Sequence, residues 1–196
     1  MRKLSILLVV LALAACGGTV RQGDLASFDL GSAAIAWKPA SPRISGVELA
    51  APSWLESTVI HYRLFYADAM RRHGYTESRW AATPGALIER ALNRQATADG
   101  GGCRLRIELD ELVQVFDTPT ASRVLLDARA ILVAPHSDVA LAGKSFSVAR
   151  PADSADARGG VAATGAAVQG LAGEMNTWLT QIIRDTPAIG ERCKAA

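Results

Sequence analysis

Alternating apolar and polar positions predict a long antiparallel hairpin in the middle of the chain. From 103 to 117, apolar residues alternate with mostly charged ones, which is typical of a strand with one buried face. The apolar parity shifts near Asp110, and such a shift indicates a β-bulge or a strong twist. After a turn at 118–120, a second alternating strand is predicted over 122–134 and a third over 144–150.

Two segments have the apolar spacing of helices that pack on a core. Thr83-Pro84 predicts the start of the first helix, because threonine caps free amides and proline is tolerated at the first helical position. This helix is expected to run to about Thr97. The last helix follows the polar segment 151–158 and is expected to end at Pro187.

Shorter strands precede the first helix. Weak strand patterns cover 26–30 and 44–50, a single helical turn is expected at 52–55, and a stronger strand covers 59–66. The order of elements predicts an α+β (α/β layer) fold. We expect a mostly antiparallel twisted sheet with a long hairpin, and two main helices packed on one face.

The first residues have the pattern of a removable signal. Arg2 and Lys3 precede a ten-residue apolar run, which is too short to span a bilayer but has the length of a signal-peptide core. The run ends in Leu13-Ala14-Ala15-Cys16, which resembles the bacterial lipobox. The alternative is an ordinary secretory signal whose cleavage site contains a cysteine by coincidence.

This interpretation divides the chain into a signal peptide, a lipidated tether and a folded domain. The parts are 1–15, 16–24 and a single periplasmic domain over 25–196, with diacylglycerol and acyl chains such as palmitate on Cys16. Several acyl chains give stable anchoring, whereas one holds a protein only marginally. Gly17 stands where an aspartate retains many lipoproteins at the inner membrane, so resemblance to that sorting rule favours the outer membrane.

The charge of the mature chain gives no support for nucleic-acid binding. Of 21 lysines and arginines, two lie in the signal, which leaves 19 against 19 aspartates and glutamates. A basic run with interleaved aromatic residues does not occur. Because no second apolar stretch approaches the length of a membrane span, the lipid is the expected membrane attachment.

Two cysteines remain after lipidation, Cys103 and Cys193. An even pair in an oxidising compartment predicts a disulfide. In the chain-entropy model, closing so long a loop stabilises a fold by at most about 4–5 kcal/mol. The alternative is two free thiols that lie too far apart to bond.

The sequence carries no constellation of reactive side chains. Its three histidines, His61, His73 and His136, have no metal-ligand spacing to one another or to cysteine. Gly100-Gly101-Gly102 follows a helix and therefore lacks the setting of a phosphate-binding loop, and no Gly-x-Ser-x-Gly motif occurs. We expect no catalytic activity, no metal and no cofactor other than the covalent lipid.

Aromatic residues cluster between Trp54 and Trp80. Aromatic side chains are enriched at interfaces, so this cluster is a candidate partner-binding surface, with core packing as the alternative. Arg63 has the parity opposite Ile60 and Leu64, so it is expected to point away from the apolar face. The candidate partner-binding residues are Tyr62, Arg63, Tyr75 and Trp80.

These residues belong to a longer pattern. An aromatic–arginine pair, a Tyr…Trp segment and a proline-initiated helix with a leucine–isoleucine stripe follow one another. They are Tyr62-Arg63, Tyr75 and Trp80, and Pro84 with Leu87, Ile88 and Leu92; Phe116, Lys144-x-Phe146 and an alanine-rich last helix follow. Over about residues 25–185 the chain resembles the ABC-type transport auxiliary lipoprotein family. That family includes the paraquat-inducible lipoprotein C component and other accessory lipoproteins of mammalian-cell-entry (MCE) systems.

The resemblance implies an outer-membrane lipoprotein that faces the periplasm and assists ABC-type transport of phospholipid or another hydrophobic compound. Its partners would be the MCE-domain periplasmic protein and the ABC transporter complex, and it would not hydrolyse ATP itself. Three alternatives stay open: a periplasmic lipid-binding carrier with an apolar cleft between the last helix and the sheet, a hydrolase whose site is not recognisable in the sequence, and a structural envelope lipoprotein without a transport partner. The sequence does not determine the substrate, the direction of transport or the oligomeric state, and a homo-oligomer is one of the states that it allows.

Overall fold

A mixed seven-stranded sheet and two main helices make up the described part of the chain. The structure, a computed structural model, describes residues 25–31, 37, 42–94 and 102–194. The predicted signal peptide and the tether with Cys16 lie outside the described residues. The elements are β1 (Ala26–Phe28), β2 (Ile44–Ala50), a 3-10 turn (Ser53–Leu55), β3 (Val59–Leu64), β4 (Asp68–Trp80), α1 (Pro84–Asn93), β5 (Cys103–Thr118), β6 (Ala121–Val133), β7 (Ala140–Pro151), α2 (Ala157–Asp185) and α3 (Pro187–Arg192).

The sheet is built around β5. Its strand order is β1-β4-β3-β5-β6-β7, and β2 pairs with the first half of β5, on the same side as β3. Both β2 and β3 run parallel to β5, and β1 runs parallel to β4, whereas the other three pairings are antiparallel. The predicted α+β class is therefore confirmed, and its sheet is mixed in strand direction.

β5 and β6 form the predicted long hairpin, paired along nearly their whole length. The register shifts between Leu109 and Glu111, where the sequence pattern indicates a bulge. Because one extra residue lies in β5 at this point, the core-facing parity changes from odd to even positions. Gln114 consequently faces α2, although it follows a run of odd-numbered core residues.

α2 packs along the sheet and closes the core. Asp156 caps its first turn by accepting a hydrogen bond from the Gly159 backbone N–H at 2.8 Å. Small residues allow the helix to come close: a Cβ at position 160 would collide with the Gln114 side chain. Further along, Leu171 and Met175 are fully buried, and burial of such a side chain stabilises the fold by about 1.5–3 kcal/mol.

α1 covers the outer edge of β2. Near the end of the helix, the Asn93 side chain accepts a hydrogen bond from the Val47 N–H at 2.8 Å and donates one to the Val47 carbonyl at 2.7 Å. One turn earlier, the Glu89 carboxylate accepts from the Leu49 N–H at 2.9 Å. An edge strand otherwise presents unpaired backbone groups. The helix therefore takes the place of a neighbouring strand.

A disulfide ties the C-terminal segment to the start of β5. After α2, the short helix α3 leads the chain to Cys193, which is bonded to Cys103 with a Cα–Cα distance of 4.8 Å. Both side chains are fully buried. We call this the disulfide end of the sheet. The β3–β4 and β5–β6 turns lie at the opposite end, which we call the turn end.

Three elements differ from the sequence-based expectations. The strand predicted over 59–66 ends at Leu64, because the chain turns at 65–67 and returns as β4. β4 itself is not predicted, since 68–80 is mostly polar and shows no alternation. α2 ends at Asp185, just before Pro187 as expected, but the short helix α3 that begins at Pro187 is not predicted.

Candidate docking site

The β3–β4 hairpin carries the residues that the sequence predicts to bind a partner. β3 pairs with β4 on one side and with β5 on the other, so Tyr62 lies between His73 and Gln114. Arg63 is the next residue and lies beside Arg72. Because successive side chains of a strand point to opposite faces, Tyr62 and Arg63 belong to different faces of the hairpin.

Tyr62 is the centre of an aromatic cluster on the face that carries α2. Its ring is stacked on the His73 imidazole, with centroids 5.0 Å apart and an interplanar angle of 15°. It lies 4.7 Å from the Tyr75 ring and meets the edge of Phe116 at 5.7 Å. Aromatic pairs of this kind add about 0.5–1.5 kcal/mol each to their apolar burial. Tyr62 and Tyr75 are half-buried, so both hold the hairpin in place and keep part of their rings accessible.

Tyr75 is also joined to a buried polar network. Its hydroxyl donates to Gln114 Oε1 at 3.0 Å, and Gln114 Nε2 donates to Ser122 Oγ at 2.8 Å and to the Asp156 carbonyl at 3.1 Å. Burial raises the pKa of Tyr75 well above its ordinary value, so the hydroxyl acts as a neutral donor. Gln114 thus connects the β3–β4 hairpin, the β5–β6 hairpin and the start of α2. The sequence pattern alone did not identify Gln114 as a functional residue; the signal that could have found it is a polar residue at a core-facing position.

On the opposite face, Glu111 binds two arginines. Arg63 Nη2 donates to Glu111 Oε2 at 2.8 Å, and Arg72 Nη2 donates to the two carboxylate oxygens at 2.8 and 2.6 Å. The side chains of Arg63, Arg72 and Glu111 are 31%, 21% and 18% exposed. Arg63 therefore points away from the apolar face, as predicted, but it is held by a carboxylate. A partner would meet only the exposed third of this side chain.

The prediction that Trp80 contacts a partner is wrong. Trp80 is 4% exposed and belongs to the buried residues of the protein. It lines the same small cavity as Ile88 of α1 and Leu112 of β5. For this residue the alternative of core packing holds, because the last position of β4 lies where α1 and the sheet meet.

A shallow groove lies beside the aromatic cluster, between β1, β4 and the first turn of α2. Its volume is about 440 Å³, and its walls include Phe28, Tyr75 and Asp156. The Arg158 guanidinium stands over the Phe28 ring at 5.7 Å from the centroid.

The interface between α2 and the sheet is closed. Two cavities there, both bordered by Leu112 and Thr164, have volumes of about 10 and 0 Å³. Ligand pockets usually measure about 300–1,000 Å³. Neither cavity has room for an acyl chain, and Leu171, Met175 and Leu179 of α2 are fully buried, which disfavours the lipid-carrier alternative.

The hairpin histidines make structural contacts. His61 Nε2 lies 3.0 Å from the Trp54 carbonyl oxygen, and His61 Nδ1 lies 3.4 Å from that of His73. Over the ranges that the structure describes, no three or more histidine, cysteine or acidic side chains are grouped as a metal site. In the same ranges, no helix has the length and apolar character needed to cross a membrane.

Comparison with known proteins identifies the family. A profile of the ABC-type transport auxiliary lipoprotein component family matches residues 34–176, well over half of the chain. The chain belongs to this family. The matched range contains the hairpin with Tyr62 and Arg63, the long β5–β6 hairpin and most of α2. A search of curated proteins finds no significant match.

Two solved structures share the fold. The crystal structure of protein XCC0632 from Xanthomonas campestris superposes with a TM-score of 0.65 at 19% identity, covering 83% of this chain and 96% of that one. The crystal structure of an uncharacterized protein gives a TM-score of 0.51 at 12% identity, covering 80% and 97% of the two chains. At these identities the likeness is one of fold, and the functional assignment rests on family membership: an auxiliary lipoprotein of ABC-type transport.

Proposed function

We propose that this chain is an outer-membrane lipoprotein, anchored at Cys16 and facing the periplasm. There it docks the MCE-domain protein of an ABC-type system that moves lipid or another hydrophobic compound between membranes. Family membership over residues 34–176 is the observation that carries this proposal. The lipobox-like Leu13-Ala14-Ala15-Cys16 supports the anchor.

The mechanism is tethering. Acyl chains on Cys16 hold the chain to the membrane, and the domain over 25–196 binds the periplasmic part of the transporter complex. The chain itself does no chemistry on the transported compound, and its partners supply the ATP hydrolysis. The closed interface between α2 and the sheet supports an adaptor over a carrier, because a carrier would need room for its cargo.

The docking surface is the stem of the β3–β4 hairpin, with Tyr62 and Tyr75 on one face and Arg63 on the other. Gln114 and Glu111 hold the two faces in position before any partner arrives. A preorganised surface pays less conformational entropy on binding. Because Trp80 is buried, Tyr62, Tyr75 and Arg63 are the predicted contacts that remain to be tested.

Truncation of Arg63 tests the surface. The lipid-free domain is titrated with the periplasmic MCE-domain protein of the proposed transport system, and Arg63→Ala is compared with Arg129→Ala. Arg129 is a matched control, because it is also paired with a glutamate on the outer face of the sheet, Glu108 at 2.9 Å, but lies outside the hairpin. We expect Arg63→Ala to cost more than about 2 kcal/mol of binding, roughly 30-fold in Kd, if Arg63 is central to the contact.

A small loss that disappears at high salt would instead make Arg63 a rim charge. Tyr62→Ala tests the other face in the same titration. The docking proposal fails if the folded wild-type domain shows no association at high micromolar concentration.

The anchor has a separate test. Cys16→Ala should leave the domain folded but release it from the membrane fraction. Labelling with a radioactive fatty acid followed by fractionation measures this. Incorporation of label by the Cys16→Ala chain, with retention in outer membranes, would contradict the anchor.

A further inference from the structure

Three large apolar side chains are exposed where β3 turns into β4. Phe65, Tyr66 and Met70 are 57%, 48% and 92% exposed. We call residues 65–70 the hairpin tip. The three side chains lie within six residues and outside the core cluster. Exposed apolar patches of this kind mark interaction sites.

Hydrogen bonds hold the hairpin tip in place. The Phe65 N–H donates to the Phe116 carbonyl of β5 at 2.9 Å, and the Met70 N–H donates to Asp68 Oδ1 at 3.0 Å. The backbone is therefore set by the neighbouring strand and by a local side-chain bond. The apolar side chains project from this support at the turn end of the sheet.

The direction of β1 shows which end of this strand is nearer the turn end. β1 pairs in parallel with the end of β4, and Ala26 lies opposite Ser78, so the N-terminal end of β1 points toward the turn end. Val59 lies opposite Arg79, next to Ser78, and the hairpin tip follows Leu64. Five residues of β3, about 16 Å, separate the start of β1 from the level of the tip.

The predicted lipid-bearing residue can reach that level. Nine residues lie between Cys16 and Ala26. Ten Cα–Cα steps span at most about 33–36 Å, which is twice the distance to the tip. The tether is therefore long enough for acyl chains on Cys16 to lie in a bilayer that touches the turn end of the sheet, where the exposed apolar residues are.

The charge around the hairpin tip also fits a phospholipid surface. Residues 59–80 contain four arginines, at 63, 71, 72 and 79, against Asp68 and Glu77. With Glu111 of β5, which binds Arg63 and Arg72, the excess is one positive charge. Basic groups near a bilayer are attracted by anionic lipids. Tyrosine is enriched at the level of the headgroups, because its ring is apolar and its hydroxyl is polar.

We infer that the hairpin tip rests in the headgroup region of the membrane that holds the lipid anchor. This inference depends on the Cys16 anchor of the proposed function, but not on the MCE-domain partner. The domain then stands with its turn end on the membrane. The disulfide end and the β6–β7 loop, which contains Val139, face away from it. The stem residues Tyr62 and Tyr75 remain beside the membrane and accessible to a partner.

The experiment places a fluorophore at each end of the lipidated full chain. Met70→Cys and Val139→Cys are labelled with an environment-sensitive dye and reconstituted in phosphatidylethanolamine–phosphatidylglycerol vesicles that contain nitroxide-labelled lipid. Val139 is the matched control, because it is also an exposed apolar residue, on a loop at the disulfide end. The nitroxide-labelled lipid should quench the dye at position 70 but not the dye at position 139.

A second variant tests whether the apolar side chains are the cause. With the dye at Ala67→Cys, the triple change Phe65→Ser, Tyr66→Ser and Met70→Ser should lower the membrane-contacting fraction about tenfold or more, because one buried large apolar side chain changes a partition constant by about that factor. The three residues lie outside the core cluster, so the thermal unfolding of the triple variant should match that of the wild type.

Three outcomes would overturn the inference. Equal quenching at positions 70 and 139 would show that the domain does not stand on its turn end, and no quenching at position 70 would show that the tip does not contact lipid. Protection of position 70 only after addition of the MCE-domain protein would assign the tip to a protein interface. A full chain that does not float with the vesicles would remove the anchor, and the inference with it. The partner titration of the lipid-free domain would still test docking by itself.

Discussion

The ion pairs of Glu111 with Arg63 and Arg72 should stabilise the fold more than the Glu108–Arg129 pair on the same face of the sheet. Arg63 and Arg72 are directly opposite each other on β3 and β4, and like charges in that position destabilise a sheet. Glu111 binds both guanidiniums at 2.8 and 2.6 Å. Replacement by glutamine keeps the size of the side chain and leaves two uncompensated, partly buried cations.

The expected cost of Glu111→Gln is about 2 kcal/mol. Exposed ion pairs contribute about 0–1 kcal/mol, and loss of one partner of a buried pair costs about 3–5 kcal/mol. Side chains that are 18–31% exposed fall between these limits. Glu108→Gln is the matched control on the same strand: its carboxylate binds a single, more exposed arginine, Arg129. We expect it to cost less than about 0.5 kcal/mol.

Urea unfolding of the lipid-free domain measures both values, provided that the m-values agree. Arg63→Gln in the Glu111→Gln background should recover part of the loss, because it removes one of two facing cations. If Glu111→Gln costs no more than Glu108→Gln, the carboxylate does not hold the hairpin, and the preorganisation of the docking surface loses its support.

Three further predictions concern the fold. The denatured, unreduced mature domain should titrate no free thiol from Cys103 or Cys193, and replacing both by serine should cost up to about 4–5 kcal/mol of unfolding free energy; two titratable thiols would refute the disulfide. The pKa of Asp156 is lowered, chiefly because its carboxylate accepts a hydrogen bond from the Gly159 N–H. The contribution of this carboxylate to the free energy of unfolding should therefore be complete above the ordinary aspartate pKa of about 3.9, and it should be lost as the pH falls through the lowered pKa. Accordingly, Asp156→Ala should cost about 1 kcal/mol at pH 7 in thermal unfolding and much less at pH 2; an equal cost at both would contradict this. Asn93→Ala should cost about 2–4 kcal/mol by urea unfolding, since both backbone groups of buried Val47 lose their partner, and a loss below 0.5 kcal/mol would be inconsistent with the edge-covering role.

Local patterns were sufficient for the elements that face the core on one side. β5, β6 and α2 have a buried face with a regular period, and their positions follow from that period with small changes at the ends. The bulge near Asp110 was visible for the same reason, because a shift in parity is itself a local signal. The start of α1 at Pro84 followed from its threonine and proline.

β4 shows where local patterns stop. Its sequence is mostly polar, because several of its side chains form ion pairs, ring stacking and hydrogen bonds instead of being buried in the core. None of those contacts produces a regular spacing of apolar residues in the sequence. For the same reason the sequence does not show the role of Gln114, whose partners lie on three different elements.

The candidate site was predicted in part. Tyr62, Arg63 and Tyr75 do lie together on one hairpin, but Trp80 is buried, because burial at the end of β4 depends on how α1 packs there. Glu111 meets Arg63 and Arg72 across 48 and 39 residues of chain.

The sequence by itself determined the family, the two main helices and the central strands, since each is encoded in a local pattern or motif. Only the tertiary structure decided which charges pair, which aromatic residue is buried and that β2 and β3 run parallel to β5. The reason is physical: a long-range contact depends on the free energy of both partners at once, and the local sequence of one segment does not specify which distant segment it will contact.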